Sequence, residues 1–163
     1  MQYWLKTIGQ IALLRRGPQD LPASPLSLWL ALLAYGAIVI VSGLLDRRPP
    51  SGVDLLVSVA VPLAATALLL WLRARPARFI QTAAALFGTG ALIGLVNLPL
   101  WLSGSTPVPS LFVLLAVAGL FWGLAVDGHI WRNAIECSFA GGVAIAVVIL
   151  FIQLFIFQAL GSS

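Results

Sequence analysis

Charge is what this sequence has least of. Of 163 residues only 9% are Asp, Glu, Lys or Arg, while 61% are hydrophobic and the mean hydropathy is +1.05. Soluble domains carry about 25% charged residues, and a chain this small has too much surface for so few charges to cover. A water-soluble globule is excluded, and the composition is that of an integral membrane protein. Cysteine is almost missing as well. The single Cys137 rules out an internal disulfide framework and supplies no zinc spacing. No GxGxxG or P-loop segment occurs, and no Ser–His pairing supports a rhomboid-like hydrolase.

The charge that is present is mostly positive, and its placement decides what it means. A pI near 10.2 would suit a nucleic-acid binder if the basic residues formed one patch interleaved with aromatics. They lie instead at the edges of apolar runs, so no nucleic-acid partner is expected. Eight of the nine are arginine, which fits a GC-rich bacterial gene.

A membrane-spanning helix needs roughly 20 mostly apolar residues. Five stretches qualify, at about 26–45, 53–72, 79–98, 108–126 and 139–160. Their connections are short and carry Pro, Gly, Ser and Arg, which break helices and turn the chain. The expected fold is all-α: a five-helix transmembrane domain over residues 26–163, preceded by a separate segment over residues 1–25. In that segment Trp4, Leu5, Ile8, Ile11 and Ala12 recur at helical spacing opposite Gln2, Lys6 and Gln10. This pattern predicts an amphipathic helix lying in the membrane interface, closed by Arg15 and Arg16. The basic pair follows the apolar residues and no small-residue cleavage site precedes Pro18, so the pattern is not that of a cleavable signal peptide. Three prolines in "GPQDLPASP" then hold off helix, and Ser24 stands ready to cap the first span.

Basic residues in short loops set orientation. With the N-terminus inside, the inner segments hold Lys6, Arg15, Arg16, Arg73, Arg75, Arg78 and Arg132, and the outer ones only Arg47 and Arg48. The expectation is a multi-pass protein of the bacterial inner membrane, N-terminus cytoplasmic and C-terminus outside.

"DGHIWRNAIEC", residues 127–137, is the one polar-rich stretch between spans. On the orientation above it is a cytoplasmic turn, with Gly128 breaking the apolar run after Asp127, and Arg132 and Glu136 spaced to pair as i and i+4 on a helix. Trp131 suits the interfacial aromatic belt. Asp127, His129, Glu136 and Cys137 match no familiar metal-ligand spacing, so neither metal nor cofactor is expected. His129 and Asn133 form HxxxN, which resembles part of the intramembrane CAAX-type protease signature. That family also requires paired glutamates, and Glu136 is the only glutamate here.

None of the five predicted spans carries an ionisable residue away from its ends, as a transporter or channel would. Their polar residues are mild, including Asn97 and Gln153. What the spans do carry is small residues four apart: Gly90 and Gly94, Gly119 and Gly123, Gly142 and Ala146, with Ala84 and Gly88 extending the third helix's set. Such faces let helices approach closely. Packing within the bundle is the first expectation for them, and homo-oligomerisation the second.

Five spans, a cytoplasmic N-terminus and little beyond the last span together resemble the Yip1-domain family. "LLRRGPQDLPASP" and "GHIWRNA" look like segments of its small bacterial inner-membrane members. The resemblance implies a non-enzymatic adaptor or organiser, with no catalytic residues. On this reading Trp4, Lys6, Arg15, Arg16, Arg73, Arg75, Arg78, His129 and Arg132 would meet membrane lipid and a protein partner. Two other readings stand beside it: a small-solute or lipid transporter with a polar cleft around Asn97 and Gln153, and a membrane enzyme centred on Asp127, His129 and Glu136.

Overall fold

The computed structural model describes residues 2–46, 49–102 and 110–161. These form α-helices α1 (Gln2–Ala12), α2 (Pro25–Leu45), α3 (Gly52–Leu72), α4 (Phe79–Leu102), α5 (Ser110–Ile135) and α6 (Phe139–Gly161), with 3-10 turns at Pro18–Asp20 and Pro76–Arg78. No strand occurs among the described residues. Helices α2 to α6 are each long and apolar enough to cross a membrane. Arg47, Arg48 and residues 103–109 lie outside the described residues.

Local signals in the sequence account for the helix starts. Ser24 caps α2, its Oγ accepting from the Ser27 amide at 3.2 Å, and Pro25 fills the first helical position. Ser51 and Asp54 form a reciprocal capping box on α3, with Ser51 N to Asp54 Oδ2 at 2.8 Å and Asp54 N to Ser51 Oγ at 3.1 Å.

Three helix ends share one device. Leu14, Ala74 and Glu136 follow α1, α3 and α5 with φ of 60°, 53° and 54°. In each case the next residue's amide reaches back five positions: Arg15 to Gln10 O, Arg75 to Leu70 O and Cys137 to Arg132 O. This left-handed closure usually takes glycine. Here a side chain occupies it three times, at the same end of the bundle.

Helix α4 is the hub. Of its apolar window 44% is buried, against 6% for α2 and for α6. Its Ala83, Ala84, Ala85, Phe87 and Ala91 form the middle of the core, and α2 packs along it, with Tyr35 over Gly90 and Ile38 over Gly94. The other close approach joins α5 to α6. A methyl group on Gly142 would collide with the Gly128 carbonyl oxygen and lie 3.0 Å from the Arg132 amide nitrogen. So Gly90, Gly94, Gly142 and Ala146 are used within the chain, whereas a Cβ at Gly123 would meet nothing within 4 Å.

Helix α1 forms as the periodicity predicts, but most of its apolar stripe is covered by protein rather than left for headgroups. Ile8 and Ile11 join the main core with Ala84, Val126 and Ile130. Ile8 packs over Gly88, with Trp4 alongside. Leu5, counted in the same stripe, is 56% exposed. The small residues of α4 explain the correction, because they leave a groove that a second helix can enter.

Candidate functional site

The end of the bundle that carries α1 is held shut by side chains gripping backbone. Residues 13–24 run across the ends of α4 and α5 as a strap. Gln81 of α4 donates to Gln19 O (3.2 Å) and Leu21 O (2.7 Å), and the Tyr3 hydroxyl donates to Asp20 O at 3.2 Å. Trp4 Nε1 donates to Ser27 Oγ at 2.7 Å, tying α1 to the first turn of α2. His129 Nε2 lies 2.9 Å from Arg16 O. A carbonyl only accepts, so Nε2 carries the proton. Asn133 Nδ2 donates to the His129 carbonyl at 2.7 Å, a bond within α5.

Arg75, Arg78 and Glu136 make the second fastening, and they correct an expectation. Glu136 pairs with Arg75 and, through Arg78 Nη2 at 3.1 Å, with Arg78; Arg132 is not its partner. The i, i+4 rule fails because α5 ends at Ile135, and the left-handed Glu136 sends its carboxylate toward the 73–78 turn. Arg78 Nη1 also donates to Asn133 O (3.1 Å) and Ala134 O (3.0 Å), capping carbonyls that the end of α5 leaves open. The Arg75 hydrogen bond, aided by Arg78, holds the Glu136 carboxyl well below the usual range, at about 2. The same bond raises Arg75.

The remaining basic residues of this end are not fastened. Lys6, Arg15, Arg73 and Arg132 are exposed and Arg16 is half-buried, and none has a carboxylate partner among the described residues. The predicted site residues thus divide in three. Trp4 and His129 are structural anchors, Arg75 and Arg78 are structural ion-pair members, and the other five form a cationic surface.

The largest correction concerns Asp127. The sequence reading puts it in a wet turn broken by Gly128, but α5 runs on through both residues to Ile135. At 1.5 Å per residue Asp127 lies about 12 Å from that end. At about 100° per residue, the buried Val126, Gly128, Ile130, Trp131, Ala134 and Ile135 span roughly 200° of α5, centred on Asp127. The carboxyl therefore faces inward, half-buried. No cationic partner pairs with it among the described residues. An acidic side chain at membrane depth costs on the order of 2.5–3.5 kcal/mol. The signal was present in the sequence, because residues 126, 127, 130, 131 and 134 continue the helical period past the apolar run.

Asp127, His129, Glu136 and Cys137 do not converge, and no group of three or more potential metal ligands forms among the described residues. Asn97 lies over Gly119 of α5. Gln153 sits half-buried on α6, which packs chiefly on α5 and α3 rather than on α4. Comparison with protein-family models, with curated proteins and with solved structures gives no match.

Proposed function

We propose that the protein is a non-enzymatic accessory protein of a bacterial inner membrane, Yip1-like in organisation, that engages an acidic membrane partner through its cytoplasmic face. The observation that carries this reading is the division among the basic residues. Among the described residues Lys6, Arg15, Arg16, Arg73 and Arg132 have no carboxylate partner, on a frame fixed by α1, the strap and the Arg75–Glu136–Arg78 cluster. Unneutralised basic side chains on a fixed frame suit an anionic surface. Each basic residue near an anionic membrane adds roughly 1 kcal/mol, fading within a Debye length, and an acidic protein segment would be attracted in the same way.

The test is co-purification from membranes at low and high salt, comparing wild type with a variant in which Arg15, Arg16, Arg73 and Arg132 are changed to Gln. Arg75 and Arg78 are left intact because they hold the fold. Partners should be lost from the wild type at high salt and from the variant at low salt. Binding indifferent to both changes refutes the reading. The N-in, C-out orientation belongs to the same proposal, and a cytoplasm-dependent reporter fused after Ser163 should stay silent.

A further inference from the structure

We infer that the groove between the end of α3 and the 73–78 turn binds one anionic phospholipid, with an acyl chain in the groove and the phosphate at Arg73. This rests on the reading of the basic face as one that meets an anionic surface, and it names a ligand for one part of that face.

The groove has a volume of about 520 Å³ and is lined by Ala67, Leu68, Leu70, Trp71, Pro76 and Phe79, apolar throughout. Its back is continuous with the small core of Leu70, Ala134 and Ile135, against which Phe79 also packs. Two features of the chain produce it. Ala74 takes the left-handed conformation and Pro76 opens a 3-10 turn, so α4 does not fold straight back along α3. Helix α3 meanwhile rests on α6 more than on α4, which leaves a gap between α3 and α4 beneath the turn.

Depth sets the groove against lipid. Helix α3 has 21 residues. At 1.5 Å per residue it is about 32 Å long, close to the roughly 30 Å of a hydrocarbon core. Its last residue, Leu72, then lies at the boundary and Ala67 about 7.5 Å inside it. Leu68 and Trp71 are 56% and 69% exposed, so the groove opens sideways to the bilayer, with Trp71 at the depth where interfacial aromatics collect.

Size and charge choose the occupant. A partner helix 10–12 Å across fills roughly 400–600 Å³ per turn, so the groove would seat only about one turn of it. A single hydrocarbon chain is thinner and runs its whole length. Arg73, the C-cap residue of α3, follows Trp71 by two positions; it is exposed and has no carboxylate partner among the described residues. Arg75 and Arg78 adjoin the lining residues Pro76 and Phe79 and share the single carboxylate of Glu136, which leaves that cluster net positive. Positive charge at headgroup level above an apolar groove fits a phosphodiester with no ammonium of its own, as in phosphatidylglycerol, better than a zwitterionic lipid.

The experiment is native mass spectrometry of the full chain released from mixed micelles holding phosphatidylglycerol or phosphatidylcholine of the same chain length. Wild type should retain one phosphatidylglycerol, and phosphatidylcholine at least about fivefold less often. Arg73→Gln should lower retention of phosphatidylglycerol about fivefold, the factor that one basic residue at an anionic surface supplies. Ala67→Trp fills the groove without removing a charge and, because Ala67 is exposed, without entering the core; it should abolish the adduct. Changing Arg15, Arg16 and Arg132 together to Gln should leave the adduct in place. Equal retention of the two lipids by wild type overturns the proposal, as does retention that either Ala67→Trp or Arg73→Gln leaves unchanged. Loss of the adduct in the triple variant also overturns it, by assigning the lipid to the whole face rather than to the groove. Ala67→Trp keeps every basic residue, so its membrane partners should stay salt-sensitive. Lipid that persists in Ala67→Trp beside salt-sensitive partners therefore overturns the groove alone, whereas salt-insensitive partners of the wild type overturn the accessory reading itself.

Discussion

Gly142→Ala should be among the most damaging single-methyl changes in this chain. The new Cβ would meet backbone, namely the Gly128 carbonyl, with the Arg132 amide nitrogen at 3.0 Å. Neither atom can rotate away as a side-chain tip could. Helices α5 and α6 must therefore part by about 1 Å along their contact, and a gap of that size forfeits a quarter to a half of each van der Waals contact across it. Overpacking of this kind costs about 1–3 kcal/mol, against which the better helix propensity of Ala returns under about 1 kcal/mol. Gly123→Ala is the matched control, because its methyl enters empty space and keeps the propensity gain. Reversible unfolding of both variants in bicelles should separate them by about 1–3 kcal/mol, with Gly142→Ala the weaker. Equal stabilities would refute the claim that the α5–α6 contact depends on backbone-to-backbone approach.

Acid should loosen the Glu136 fastening within a defined window. The folded carboxyl is depressed from 4.5 to about 2, so its stabilisation is complete above about 4.5 and is lost as pH falls toward 2. Hydrogen exchange of the 73–78 and 136–138 amides should show this, and Glu136→Gln should remove the pH dependence. Arg78→Ala should destabilise by about 1–2 kcal/mol through lost carbonyl caps, whereas Arg132→Ala should stay within about 0.5 kcal/mol because that side chain is exposed; thermal unfolding ranks the two. In α1, Ile8→Ala should cost about 2 kcal/mol or more and render residues 1–16 protease-sensitive, while Leu5→Ala should leave the cleavage pattern unchanged, since only Ile8 is in the core.

Hydropathy located the five long helices because lipid imposes length and apolarity on any helix that crosses it. It misjudged the end of α5 because it reads Asp127, His129 and Asn133 as solvent-seeking. In the folded chain Arg16 O receives the His129 proton, and the Asn133 amide bonds its own helix. Gly128 was read as a breaker, yet it is the residue that lets α6 approach. The stripe on α1 was legible, but its destination was not, since lipid and an Ala/Gly groove are equally apolar. Partner choice for Glu136 depended on a left-handed residue at 136, where no glycine marked the turn. The misreadings of α1 and of Glu136 share one cause: each concerns a long-range partner, about which local periodicity carries no information.

The central position of α4 has a consequence for how the chain is made. Helix α2 packs more extensively on α4 than on α3, which immediately follows it, and α1 also rests on α4. The groove that accepts them runs through residues 83–94, about 50 residues after α2 is complete. At about 5–20 residues per second, the nascent chain spends roughly 3–10 s with α2 lodged in lipid and α1 without its cover. During that interval Ile8, Ile11 and the strap are open to proteases and to holding factors at the membrane surface. The arrival of α4 ends that exposure, so the N-terminal segment becomes protected only after a later part of the chain has been synthesised.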